Sequence, residues 1–223
     1  MSKKSSKKKF ILFFILIILV VFLLVLFLYN KYFNDKNEIT NPEITGNTFV
    51  YNNYTFTKFD DGYWYIESGV KGIPYAIPFY YTPYDAEKVL VEEGLNLNYM
   101  IIKHRLNSSK IYVTLDPNTN STKIVAAAVE AVKVLGRGYQ LYNFDVITAI
   151  TNQPNDRLMD YPLITCENSS EKEMVILLRI NESSANNIYS EKNCIIIEGK
   201  DPEGIIISAD AFAYRILDVI KRK

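Results

Sequence analysis

Residues 10–29, FILFFILIILVVFLLVLFLY, are 20 aliphatic and aromatic side chains in unbroken succession. At 1.5 Å rise per residue a helix of that length extends about 30 Å, the hydrocarbon thickness of a bilayer. Lys3, Lys4, Lys7, Lys8 and Lys9 precede it, and the first acid is Asp35. By the positive-inside bias this predicts a cytoplasmic N-terminus and a translocated remainder. A cleaved signal peptide would carry an apolar region of about 7–15 residues ending in small side chains. The run here is longer and contains no Gly, Ala, Ser or Thr, so an uncleaved signal anchor is expected. Without a small-residue seam or an ionisable group, the helix reads as a tether facing lipid.

The expected organisation follows from that anchor. Residues 1–9 form a basic cytoplasmic tail, 10–29 the transmembrane anchor and 30–47 an Asn-rich stalk with Pro42 and Gly46. Residues 48–223 form one extracytoplasmic domain, long enough for a proper core. The chain has 25 basic and 25 acidic residues. Removing the five leading lysines leaves 20 against 25, so the outer part carries about −5. Such a balance excludes a nucleic-acid partner, which calls for clustered Lys and Arg.

The two cysteines, Cys166 and Cys194, both fall on the outer side, where oxidation favours a disulfide. Closing that loop stabilises the fold by roughly 3.5 kcal/mol on the chain-entropy model. A metal site wants about four ligands, and no His lies near either cysteine. Five N-x-S/T sequons, at Asn53, Asn107, Asn120, Asn168 and Asn181, exceed the roughly two expected by chance and mark candidate glycosylation sites.

Within the domain, YTFTKF and YWYIES flank Asp60-Asp61-Gly62 and predict a hairpin. YAIPFYY continues the β pattern, with Pro78 assigning it to an edge or a bulge. Three times an apolar strand-like segment meets a capping residue and a proline: Thr82-Pro83, Asp116-Pro117 and Asp201-Pro202. Helices are expected over 86–93, 120–135 and 203–221. In the second, Ile124, Ala128, Val132 and Leu135 form the buried stripe, with Lys123, Glu130 and Lys133 on other faces. In the third, Ile205, Ala209, Phe212, Ile216 and Ile220 are buried, and Asp218 pairs with Arg222. Strands 111–115 and 142–150 flank the second helix as a right-handed parallel βαβ unit, and 174–180 and 194–199 add two buried strands. The expected fold class is therefore α/β: a mixed sheet with three helices and a β-rich N-terminal part.

Chemistry is sparse. The turn Gly199-Lys-Asp-Pro-Glu-Gly204 lacks the lysine and hydroxyl of a phosphate loop, and Asp201 and Glu203 would repel an anion. His104, the sole histidine, lies between Lys103 and Arg105 and reads as a surface residue. No cofactor fingerprint is present, and no cofactor, metal or catalytic residue is assigned. Asp145, inside the apolar run YNFDVITAI, is the one acid in an odd setting; a strand end is its common explanation. The tyrosines crowding the first half read as an aromatic core before they read as a contact surface.

The segments IPFYYTPYDAEKV, IYVTLDPN, PLITCENSS with MVILLRI, and NCIIIEGKDPEGIIISADAFAYRIL resemble an uncharacterised family of archaeal single-span, membrane-anchored extracytoplasmic proteins. The resemblance covers roughly residues 75–220. It implies an outward-facing domain with paired cysteines, and it brings no activity and no site residue. A pilin-like subunit would need a small residue at a processing site before the apolar run, where the chain has Lys7, Lys8 and Lys9. Two functions are expected from different classes. The first is a non-enzymatic module binding an envelope protein or glycan; the second is a tethered, carboxylate-dependent hydrolase of envelope glycans.

Overall fold

A computed structural model describes residues 22, 24–25, 48–70, 73–119, 121–155 and 159–221. The chain divides into two compact units, Met1–Ile44 and Thr45–Lys223. The expected tail, anchor and stalk lie outside the described residues, apart from Phe22, Leu24 and Val25, which are helical and exposed. Among the described residues no helix is long and apolar enough to cross a membrane.

The second unit is a mixed α/β domain built on two sheets. The first is antiparallel, in the order β1 (Thr48–Tyr51), β2 (Tyr54–Lys58), β3 (Trp64–Val70), β4 (Ile73–Phe79). Asn52 and Asn53 join β1 to β2 with both φ angles positive, 46° and 69°. That is the two-residue turn whose twist suits a hairpin, and Asn tolerates it. The expected turn at 60–62 joins β2 to β3, where Asp61 accepts the Tyr63 N–H at 3.0 Å and the Tyr65 hydroxyl at 2.6 Å. Pro78 lies on the edge strand β4, as its missing N–H requires.

The second sheet has six strands, β5 (Leu90–Val91), β6 (Lys110–Leu115), β7 (Asp145–Ile150), β8 (Met174–Ile180), β9 (Asn187–Glu191) and β10 (Cys194–Gly199). Their order is β5-β9-β10-β8-β6-β7, with β10, β8, β6 and β7 mutually parallel. β9 runs antiparallel to β10, and β5 parallel to β9.

Among the described residues four helices complete the domain: the single turn α1 (Pro83–Ala86), α2 (Leu97–Asn107), α3 (Lys123–Val132) and α4 (Pro202–Ile216). α4 lies between the two sheets. Phe56 and Phe79 of the first sheet pack on its Tyr214 at centroid distances of 5.8 and 4.1 Å, while its other side meets β10 and β8. A helix covered on both sides must be apolar nearly all round, and α4 is buried from Gly204 through Ile206 and again from Ser208 through Tyr214. The opposite face of the six-stranded sheet carries a smaller cluster: Val175, Cys194 and Ile196, with Tyr112, Ile164, Cys166, Leu177 and Tyr189.

The strand-to-helix corner at 199–204 is explained by packing. A Cβ at Gly199 would lie 2.1 Å from the Ile205 nitrogen, and one at Gly204 would lie 2.2 Å from the Asn186 side chain. Asp201 caps α4, accepting the Gly204 N–H at 2.7 Å. Thr82 caps α1 in the same way, accepting the Asp85 N–H at 3.3 Å.

Several expectations need correction. The helix expected over 86–93 stops after one turn because the next residues pair as β5: Leu90 N–H reaches the Asn186 carbonyl and Glu92 N–H that of Ile188, both at 3.0 Å. Among the described residues there are four helices against the three expected, α2 being the addition. Tyr99, Ile102 and Leu106 are exposed on α2 while Leu97, Ile101 and His104 are buried, so apolar residues on both sides erase the stripe. Strands β1 and β9 were missed as well. Asp116 does not cap α3; it accepts the Asn118 N–H in a local turn, and the helix starts six residues after Pro117. α4 ends at Ile216 and Asp218 takes φ 60°, so the helix stops short of 221; Arg222 lies outside the described residues.

Candidate functional site

A broad concavity among the described residues follows from how α3 sits on its sheet. α3 packs over β6 and β8, leaving the helix-side face of the edge strand β7 uncovered. Between them runs a groove of about 1110 Å³. Val125, Ala128, Val129 and Val132 form one wall, and Val146, Thr148 and Ile150 the other. Val125 and Val129 are 56% and 58% exposed, unusual for valines on a helix whose neighbours are core. The groove ends outside the carboxyl ends of β6 and β7, where parallel α/β sheets commonly place a ligand. Asp116, Lys123, Asp201 and Glu203 line that end. Three acids face one lysine, and Glu203 pairs with Lys123 while accepting the Tyr81 hydroxyl at 2.7 Å.

A second cluster of polar groups is sealed inside. Asp210 on α4 is fully buried, and the side chains of Glu130 on α3 and Lys133 at its C-cap nearly so, which corrects the expected outward placement of Glu130 and Lys133. Lys133 forms an ion pair with Glu130, donates to the Pro78 carbonyl and lies 3.8 Å from the Phe79 ring centre. Asp210 Oδ2 accepts the Tyr81 N–H at 2.9 Å. Burial, then the facing Glu130 carboxyl, hold the Asp210 carboxyl well above the usual carboxylate range. Its Oδ1 has no donor among the described residues, which fits a carboxyl that retains its proton. The same burial, with Asp210 second, raises the Tyr214 phenol. The physical role of this cluster is to tie both helices to the exit of β4. Its signal in the sequence was an acid inside the apolar run IIISADAFAY, masked by the good helical spacing around it.

His104 is 4% exposed, contrary to the surface placement expected, and its Nε2 lies 2.7 Å from the Lys110 carbonyl. The flanking Lys103 and Arg105 are exposed; at helical spacing only residue 104 joins the Leu97 and Ile101 face. Asp145 stands at the first position of β7, paired with Arg137. Asp60 and Asp61 belong to the hairpin turn, and Glu92 accepts from the Ser190 N–H and hydroxyl on β9. The tyrosines are largely structural. Tyr54 donates to the Leu217 carbonyl at 2.9 Å, and Phe49 stacks on Phe56 beside Trp64 and Tyr84.

Cys166 and Cys194 form a disulfide with a Cα–Cα separation of 5.2 Å. It fastens the turn preceding β8 to the first residue of β10 across the outer face of the sheet. Of the sequon asparagines, Asn53, Asn107 and Asn168 are exposed and Asn181 is half-buried. Asn181 Oδ1 accepts the Ser183 N–H at 3.2 Å. Asn168 Oδ1 accepts the Thr165 N–H at 2.7 Å. Asn120 lies outside the described residues.

Compared with known proteins, the chain matches no family model, no curated protein and no solved structure.

Proposed function

We propose that this chain is a single-span, outward-facing envelope protein whose α/β domain binds another envelope component through the groove between α3 and β7. The observation that carries the reading is the apolar lining, exposed Val125 and Val129 with half-buried Ala128 and Val146, beside an uncovered sheet edge. Apolar walls favour an apolar segment of a protein over a glycan, whose recognition would call for polar groups and stacked aromatics. The lysine-flanked apolar run at 10–29 supports the tether and its orientation. The disulfide supports an oxidising exterior. The resemblance to archaeal membrane-anchored extracytoplasmic proteins agrees with both.

The acids at the groove mouth support binding more than hydrolysis. Asp201 is engaged as a helix cap, Glu203 in a tyrosine and lysine contact, and Asp116 in a turn. The remaining close carboxyl pair, Glu130 and Asp210, is enclosed by Lys133, Phe79 and the two helices, out of reach of a polymer.

The test is mild crosslinking on intact cells followed by purification and mass spectrometry, comparing the wild type with Val125→Glu/Val129→Glu. The expected result is one dominant adduct with the wild type that the variant loses while retaining its thermal unfolding. The same adducts from both proteins would overturn the groove as the binding site.

A further inference from the structure

Resting on that reading, we infer that the groove takes its partner as an added β-strand: an extended aliphatic peptide, with a basic residue at one end, pairing with the free edge of β7.

The backbone of β7 dictates this geometry. In a parallel ladder a residue directs its N–H and C=O to the same side, and successive residues alternate. Asp145 N–H reaches the Ser109 carbonyl and Thr151 N–H the Leu115 carbonyl, at 2.7 and 3.0 Å, so the odd-numbered residues face β6. The even-numbered residues therefore face outward. Ile150 is one of them, and both its groups are used: its N–H reaches the Pro162 carbonyl and its carbonyl accepts the Ile164 N–H, each at 3.0 Å. Val146 and Thr148 point the same way and have no partner strand among the described residues, since β7 ends the sheet. Four backbone groups are left as a rail, and open strand edges recruit strands.

The chain itself demonstrates the mode of docking. The segment Pro162 to Ile164 already lies against Ile150, with Leu163 in a parallel bridge to it. It stops there, leaving the Val146 and Thr148 positions to another chain. A strand added at those positions would alternate its side chains across the sheet, and those on the helix side would enter the groove between Val146, Thr148 and the α3 valines. Apart from the Thr148 hydroxyl these walls are aliphatic, which selects Val, Ile or Leu at alternate positions. At the far end Asp116, Asp201 and Glu203 outnumber Lys123, which selects a Lys, Arg or free amino group there. Strand pairing thus supplies register and affinity, the groove supplies side-chain preference, and the acids supply polarity.

The experiment uses the full chain in detergent micelles and three synthetic peptides. The first is acetyl-Val-Ser-Ile-Thr-Val-Ser-Lys-amide, which in parallel pairing brings its aliphatic residues and its lysine to the groove side with the lysine at the acidic end. The other two carry N-methyl groups on alternate residues, one twin on each edge of the added strand. Binding by fluorescence anisotropy and amide hydrogen exchange are read together. The proposal expects the unmodified peptide to bind and to slow exchange at Val146 and Thr148 at least fivefold. It expects one methylated twin to bind at least tenfold more weakly and the other to bind as the parent does. Equal binding by both twins, or binding without protection at Val146 and Thr148, would overturn strand addition while leaving the groove as a binding site. No binding at millimolar peptide would overturn the peptide as occupant, and the crosslinking comparison would then stand as the separate test of the groove. A fatty acid that displaces the peptide and protects neither amide would reassign the groove to lipid.

Discussion

Asp210 and Tyr81 are joined across the domain: the carboxyl oxygen Oδ2 on the central helix accepts the N–H of the residue where β4 leaves its sheet, at 2.9 Å. One helical turn later Tyr214 donates its hydroxyl to the carbonyl of the same Tyr81 at 2.7 Å. Both backbone groups of Tyr81 are thereby held by α4, which locks the antiparallel sheet onto the helix layer. The clamp adds to the other polar ties between the layers, from Tyr54 to the Leu217 carbonyl and from Lys133 to the Pro78 carbonyl.

Tyr214→Phe keeps the ring between Phe56 and Phe79 and removes only the hydroxyl. It should cost about 1–3 kcal/mol, the cost of leaving a buried carbonyl without its donor. Chemical denaturation with an unchanged slope would check it.

The raised Asp210 carboxyl sets a pH dependence. Because the folded state holds this proton more tightly than the unfolded state, its contribution is fully present below the unfolded pKa of about 4. It is lost as pH rises from there through the raised folded value. Glu130, Lys133, Tyr214 and the Tyr81 N–H all face this carboxyl. Asp210→Asn imitates the protonated form, so the variant should match or exceed the wild type at pH 8 and flatten the decline. Melting temperatures across pH 4–9 decide it; an identical slope in both proteins would contradict the raised Asp210 carboxyl.

Gly199→Ala places a methyl group against the backbone of Ile205, where neither neighbour is a flexible side chain. The expected cost is about 1–3 kcal/mol or more. Thermal unfolding of the variant measures it, and a neutral result would refute the packing account of the corner.

Replacing both cysteines by serine should remove roughly 3.5 kcal/mol, since the bridge closes a loop whose ends are 28 residues apart. Reducing agent applied to the wild type should lower the melting temperature toward that of the variant and leave the variant unmoved.

The legible parts of this fold were those written in short-range signals. Two capped helix starts, the 60–62 turn, the parallel pair around α3 and the two isoleucine-rich strands all carried periodic or capping patterns. What escaped depended on distant partners. α1 stops because β5 finds β9, almost 100 residues later in sequence. α2 hides its stripe because apolar side chains also stand on its open face. Glu130, Lys133 and Asp210 looked like ordinary charges because their burial arises where two helices and a sheet meet. The groove was equally invisible, since it depends on α3 lying over β6 and β8 and leaving β7 bare.

The most direct measurement is site-specific photocrosslinking in living cells. A benzoylphenylalanine is placed at Val129 in the groove or at Thr55 on the exposed face of the antiparallel sheet. The account predicts that illumination at position 129 joins the chain to one envelope protein, through an aliphatic stretch of its sequence, and that position 55 does not. Equal labelling at both positions, or lipid alone at position 129, would contradict it.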